Sequence, residues 1–166
     1  MSNLARIINL LSVIALSLFS GAFLFIALVV VKFWQAVEPE VFLNWMSDHF
    51  FRFPNLMVPL NMIALVLTIA AFGTAWKSKL SSRLALGLSS ICIFVCTLTF
   101  PIYFAGANVE FLSRTILLSQ ISTAIDSWAT WHWVRTCLSL LALIFASFGL
   151  LQHLSTTTSE ATSGIQ

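Results

Sequence analysis

The sequence predicts an all-α transmembrane bundle of four antiparallel helices, with a short interfacial helix in its second outer loop. Three observations lead there. Only 14 of the 166 residues are charged, 8% of the chain, against about 25% in an ordinary soluble domain. Hydrophobic residues make up 59% and the mean hydropathy is +0.97. Four long stretches carry no Asp, Glu, Lys or Arg at all. A soluble fold lacks charges to cover its surface at this composition. Disorder fails because the chain is too apolar, and three cysteines do not make a disulfide scaffold.

The charge-free stretches run from Ile7 to Val31, Phe53 to Trp76, Leu84 to Val109 and Thr136 to Ser159. A spanning helix needs about 20 apolar residues, so each stretch holds one span and none holds two. Spans are placed at about 7–31, 53–76, 84–104 and 131–152, within one domain over 1–154. Backbone groups in hydrocarbon must be satisfied inside the segment, which selects helices. A barrel predicts alternating segments of about ten residues, and the run from Phe23 to Val31 does not alternate. The first span, though preceded by Arg6, is longer than the usual signal-peptide core and ends in Val29-Val30-Val31-Lys32 without a small-x-small site. It reads as a retained helix. The Ser/Thr-rich stretch 155–166 reads as a disordered polar tail.

Loop charges set the expected orientation. Arg6 precedes the first span, and Lys77, Lys79 and Arg83 sit between the second and third. The other two loops hold Glu38, Glu40, Asp48, Glu110 and Asp126 against Lys32, Arg52 and Arg114. The positive-inside rule then puts both termini in the cytoplasm of a cell (inner) membrane protein. The first outer loop carries Trp34, Trp45, His49, Phe50 and Phe51. In the second, Leu117, Ile121 and Ile125 recur at helical spacing, which predicts the surface helix. Small residues at Ser17/Gly21 and Ala142/Ala146 predict close helix contacts.

Polar side chains inside or beside the spans gather toward the outer face. They are Asn55 and Asn61 in the second, Pro101 and Tyr103 in the third, and His132 and Arg135 at the fourth. Pro59 cannot donate to the carbonyl of Asn55, so a kink is expected there. Asn61 either bonds a neighbouring helix or lines a cavity. Asp126 or Ser127 is read as the N-cap of the last helix. Beyond it, Trp128, His132, Arg135 and Ser139 share one face, with Trp131 at its border and Trp133 pointing to lipid. An aromatic belt with a snorkelling arginine explains Trp133. It explains His132 and Arg135 less well, because Arg135 lies a turn inside the span and needs a counter-ion. Candidates are Glu110, Asp48, Glu40 and Asp126. A ligand site and a structural ion pair both fit.

Other chemistries find little support. His49 and His132 are on the same predicted side, but one is in a loop, so neither a haem nor a non-haem metal is expected. His153 reads as interfacial. Cys92, Cys96 and Cys137 form no C-x-x-C and read as packing residues. No phosphate-binding loop, dinucleotide fingerprint or nucleophile elbow is present, and no nucleic-acid partner is expected.

At Trp128-x-x-Trp131-His132-x-x-Arg135-Thr136 the sequence resembles the anthrone oxygenase-like family of small four-span membrane proteins. That family opens its last helix with a W-x-x-W-[HN]-x-x-R-T pattern. Its T-x-x-x-P-x-N pattern, which ends the third helix, is met by Thr97 and Pro101, with Tyr103 where the family carries Asn. The resemblance implies an oxygenase-like activity on an aromatic, polyketide-type substrate, with no known role for many members. It implies His132 as general base and Arg135 holding a developing oxyanion. Trp128, Trp131 and Tyr103 would wall the pocket, and Asn61, with Asn55 nearby, would orient the substrate.

Two functions are carried forward. One is a membrane protein with a small-molecule site in its outer half, whose partners are the lipid bilayer and a hydrophobic aromatic molecule. The other is a non-catalytic accessory or assembly protein in which His132 and Arg135 are structural anchors. A transporter is disfavoured, because the inner halves lack ionisable residues to continue a pathway.

Overall fold

The computed structural model describes residues 3–78 and 81–163. Lys79 of the basic loop, the side chain of His153 and the last three residues of the tail lie outside the described residues. Among the described residues four helical segments are long and apolar enough to cross a membrane: Asn3–Ala36, Arg52–Lys77, Arg83–Ser113 and Leu118–Gln152. The protein is a multi-pass helical bundle.

The first span consists of α1 (Asn3–Phe25), a π turn (Ile26–Val30) and α2 (Val31–Ala36). Pro39 then opens α3 (Pro39–His49), where its fixed φ and missing N–H suit a first helical turn. The second span is α4 (Arg52–Lys77), one helix that continues through Pro59. The third is α5 (Arg83–Thr99), a π turn (Phe100–Phe104) and α6 (Ala105–Ser113). It stops at Arg114, which adopts a left-handed φ of 54°; the N–H of Thr115 bonds back to the carbonyl of Glu110. After a 3-10 turn (Leu118–Gln120) comes α7 (Ile121–Ser163), whose backbone stays helical into the Ser/Thr-rich stretch.

A heptad-like seam builds the core. On α7 the inward positions run Ile121, Ile125, Trp128, His132, Arg135, Ser139, Ala142, Ala146 and Gly149, in alternating steps of four and three. Ala5, Asn9, Ser12, Leu16, Phe19, Phe23 and Ile26 repeat those steps on the first span. Such spacing keeps one stripe facing its partners in a left-handed bundle. Around the bundle, α1 neighbours α4 and α7, and α5 neighbours the same two, so α1 and α5 are diagonal. The third span inserts one residue into its seam. Its buried positions step from Leu86, Ser89, Ile93 and Cys96 to Phe104, Asn108 and Phe111, and the π turn between them absorbs the extra residue. Pro101 explains why the turn falls there. It cannot bond the carbonyl of Thr97, which accepts from the Phe100 N–H instead.

Four sequence expectations change here. First, no separate surface helix exists over 117–125, because Ile121 and Ile125 are buried on α7 itself. The surface helix lies in the first loop, as α3, which buries Phe42, Leu43 and Met46 over the end of the bundle. Second, Asp126 and Ser127 cap nothing. They lie inside α7, where Asp126 accepts from Gln35 at 2.8 Å and Ser127 bonds back to Thr123. Third, Ser17 and Gly21 face outward with open space around Gly21, whereas Ala142 and Ala146 are packed in the core. Fourth, the helix that carries the last span begins ten residues before the expected Trp131. Arg135 therefore lies about four turns into α7 rather than one turn inside it.

Candidate functional site

The half of the bundle that carries α3, here the loop end, encloses a cavity of about 550 Å³. The other half is packed with small residues: Ala64, Thr68, Ala71 and Ala75 on α4, Ser89 on α5, Ser139, Ala142 and Ala146 on α7. Helices can approach closely there. Toward the loop end the facing positions become Phe19, Phe23, Trp34, Phe53, Met57 and Trp128, and the same seams enclose space.

Among the described residues Arg135 is the only charged one in the cavity wall. Its guanidinium carbon lies 3.6 Å from the centre of the Phe104 ring, 4.6 Å from Phe23 and 5.2 Å from Trp128. Three rings thus supply part of the solvation the charge has lost, each worth about 0.5–2 kcal/mol. The expected counter-ion is missing. Among the described residues no carboxylate pairs with Arg135, and of the four candidates Asp126 is held by Gln35. The arginine spends one donor inside the protein, Nε to His132 Nδ1 at 2.8 Å. Among the described residues neither terminal amino group of the guanidinium has a hydrogen-bond partner.

His132 stands behind the arginine, fully buried and outside the cavity wall. Its Nε2 lies 2.9 Å from the carbonyl oxygen of Phe23. A carbonyl only accepts, so Nε2 carries the proton and donates, and Nδ1 keeps the lone pair that Arg135 Nε–H fills. The ring is neutral, with both nitrogens engaged. It also stacks on Trp128 with centroids 5.0 Å apart. Phe23 is one turn from the π turn of the first span, so the two wide turns of the bundle, at Ile26–Val30 and Phe100–Phe104, both adjoin the cavity.

The remaining expected site residues separate into two sets. Asn61 and Trp128 line the cavity with Arg135. Asn61 lies 3.2 Å from the Thr97 hydroxyl, linking α4 to α5. Tyr103 and Trp131 do not line it. They stack on each other at 5.1 Å, on the outer side of the third span and α7. Asn55 is exposed and outside the wall, one turn from the start of α4.

Sequence reasoning missed Asn108 and Trp34. Trp128 Nε1–H, which can only donate, bonds Asn108 Oδ1 at 3.0 Å. That fixes the amide and leaves its nitrogen, with two hydrogens to donate, on a residue of the cavity wall. The signal was available, since Asn108 is the one amide in the charge-free stretch Leu84–Val109. Trp34 Nε1 is buried without a hydrogen-bond partner among the described residues. The sequence places Trp34 in an outer loop, whereas it lies on α2 and packs against Trp128 at 5.0 Å. His49 packs edge-on against Trp45. Among the described residues no three His, Cys, Asp or Glu side chains cluster as a metal site.

Comparison of the chain with models of known protein families, with curated proteins and with solved structures gives no match.

Proposed function

We propose that this membrane protein binds a hydrophobic aromatic small molecule at the loop end of the bundle and holds an anionic or strongly polarised oxygen of that molecule on Arg135. One observation carries the reading: among the described residues, a guanidinium with no carboxylate partner and two unspent amino groups lines an apolar cavity inside the bundle. An ionisable group at that depth is costly and normally finds a partner. Here the protein supplies only rings and one neutral imidazole. A ligand oxygen completes the set with charge-assisted hydrogen bonds. The aromatic walls, Phe23, Trp34 and Trp128 among them, suit a flat apolar body.

The reading extends to an oxygenase-like activity toward an aromatic, polyketide-type substrate. Arg135 would stabilise negative charge developing on the substrate oxygen, a role that an arginine in a dry site performs well. His132 serves best as a positioning residue, since it can act as general base only after Arg135 releases Nδ1. The loop end is assigned to the outer face of a cell (inner) membrane, with both termini cytoplasmic, because Lys77, Arg83 and Arg6 sit at the opposite end.

The test is purification in mild detergent, then a visible spectrum and mass spectrometry of co-purifying molecules, for the native chain and Arg135→Gln. An aromatic compound present with the native chain and lost from the variant supports the site. A second reading is favoured by the His132 bridge between α7 and the carbonyl of Phe23. In it, His132 and Arg135 are anchors of a non-catalytic accessory protein. If no compound co-purifies and Arg135→Gln fails to fold, that reading replaces the first.

A further inference from the structure

The cavity is closed toward the end of the bundle and open on its flank. Of the residues that line it, only Val58, Met62, Phe100, Pro101, Val109 and Leu112 are exposed. All six are apolar, and all belong to α4 or the third span. Residues contributed by α1, α2 and α7 are buried or half-buried. The mouth is therefore a gap between α4 and the third span. These two pack closely where α4 meets α5, and far less beside the π turn and α6. Val58 and Met62 lie two to three turns inside Arg52, about 9–15 Å along the helix axis, at the depth of lipid chains rather than of water.

The aqueous end is sealed by aromatic packing. On α3, Phe42 is fully buried and meets Phe111 at 5.0 Å and Trp34 at 5.5 Å. The Arg114 guanidinium donates to Asn44 and ties α3 to the turn after α6. A water-soluble ligand would have to displace this lid. A bilayer-dissolved ligand has only to pass between two apolar rims.

Building on the ligand-site reading, we infer that the cavity is loaded sideways from the bilayer, through the gap between α4 and the third span, by a membrane-dissolved aromatic molecule bearing an acceptor oxygen. Its ring travels between Val58 and Val109 and its oxygen stops at Arg135. The polar atoms waiting inside fit an acceptor, because the spare groups of Arg135 and Asn108 are donors.

The experiment uses the full chain in lipid nanodiscs and two probes with the same anionic ring. One is a naphthoate with a long alkyl tail, which stays in the bilayer. The other is the untailed naphthoate, which stays in water. Energy transfer from the tryptophans reports occupancy. The tailed probe is expected to load at a rate that follows its mole fraction in the lipid, and Val58→Trp or Leu112→Trp should slow that loading tenfold or more. Asn44→Ala, which loosens the lid, should leave the rate unchanged. Loading that follows aqueous concentration, speeds up in Asn44→Ala and ignores Val58→Trp overturns the inference. Arg135→Gln separates the two readings. If it abolishes binding while the rim variants do not slow loading, the site stands and only the sideways route falls. If it leaves binding intact, or if neither probe binds saturably, both fall.

Discussion

Arg135 Nε donates to His132 Nδ1 across 2.8 Å, one turn apart on the same helix, and the second nitrogen of that histidine donates to the carbonyl of Phe23 on the first span. The pair works as a chain in which each link sets the next. The Phe23 carbonyl fixes which nitrogen carries the proton. The tautomer fixes the lone pair at Nδ1. The lone pair fixes the position of Nε, and with it the guanidinium over the Phe104 ring at the cavity wall. A residue that sequence reasoning takes for a base is thereby the mount of the charged group.

Replacing His132 by Ala should lower stability by roughly 2–4 kcal/mol, because it leaves a buried carbonyl and a buried N–H unpaired and opens a void. The check is thermal unfolding in detergent by tryptophan fluorescence. His132→Gln, which keeps a donor and an acceptor, should recover part of the loss. A melting point for His132→Ala within experimental error of the native value would show that the bridge holds nothing together.

Arg135 should behave in the opposite sense. A buried charge without an ionic partner destabilises the fold that contains it, and an apolar residue of similar volume relieves the cost. Arg135→Met is expected to leave the ligand-free protein as stable as the native one, or to raise its stability by about 1–3 kcal/mol. The same variant should bind an anionic aromatic probe roughly 10–150-fold more weakly, the size of a lost charged hydrogen bond. Unfolding and binding measured on one preparation give both numbers. Strong destabilisation with unchanged binding would instead make Arg135 an anchor.

Much of this fold was legible because hydrocarbon imposes a simple rule. Charges mark span ends, and four charge-free stretches mean four helices. What stayed hidden was the length of the helices at the loop end. Asp126, Glu110 and Lys32 place the expected span ends short of the helix ends. The helices continue through these residues because all three are exposed and Asp126 accepts from Gln35, so a charge there does not end a helix. The site was half legible. The spacing of Trp128, His132 and Arg135 placed them on one face. It could not show that Arg135 lines space while His132 is sealed behind it, because that depends on Phe23 and Phe104 from other helices. Tyr103 was misplaced for a physical reason: the extra residue of the π turn rotates the third span, turning Tyr103 toward Trp131 and Asn108 into the cavity.

Asn108 should contribute to ligand binding through its amide nitrogen, since Trp128 consumes its oxygen. Asn108→Leu is expected to weaken binding of an acceptor-bearing aromatic probe by roughly 2–13-fold, the worth of one neutral hydrogen bond. Trp128→Phe should free the amide to turn over and present its oxygen, which admits donor-bearing analogues that the native site rejects. Binding isotherms for one acceptor-bearing and one donor-bearing probe across both variants settle the point. An unchanged ranking in Trp128→Phe would mean that the amide does not select.

The packed end of the bundle offers a contrast within one residue type. A Cβ built on Gly149 would come within 2.8 Å of both Cγ and Cδ2 of Leu86, a fully buried side chain on α5. Cγ sits at the base of the isobutyl fork and cannot swing away without moving the whole side chain. Gly149→Ala should therefore cost about 1–3 kcal/mol, the usual penalty of overpacking a filled core. Gly73 on α4 has nothing within 4 Å of the same atom. There Ala adds only helix propensity, and Gly73→Ala should stabilise by up to about 1 kcal/mol. Melting curves of the two variants should shift in opposite directions. Pairing Gly149→Ala with Leu86→Ala should cost less than the sum of the two single changes, because the smaller side chain vacates the space the new methyl needs. If the losses simply add, α5 and α7 are not in contact at this level, and the close approach of Gly149 to Leu86 is wrong.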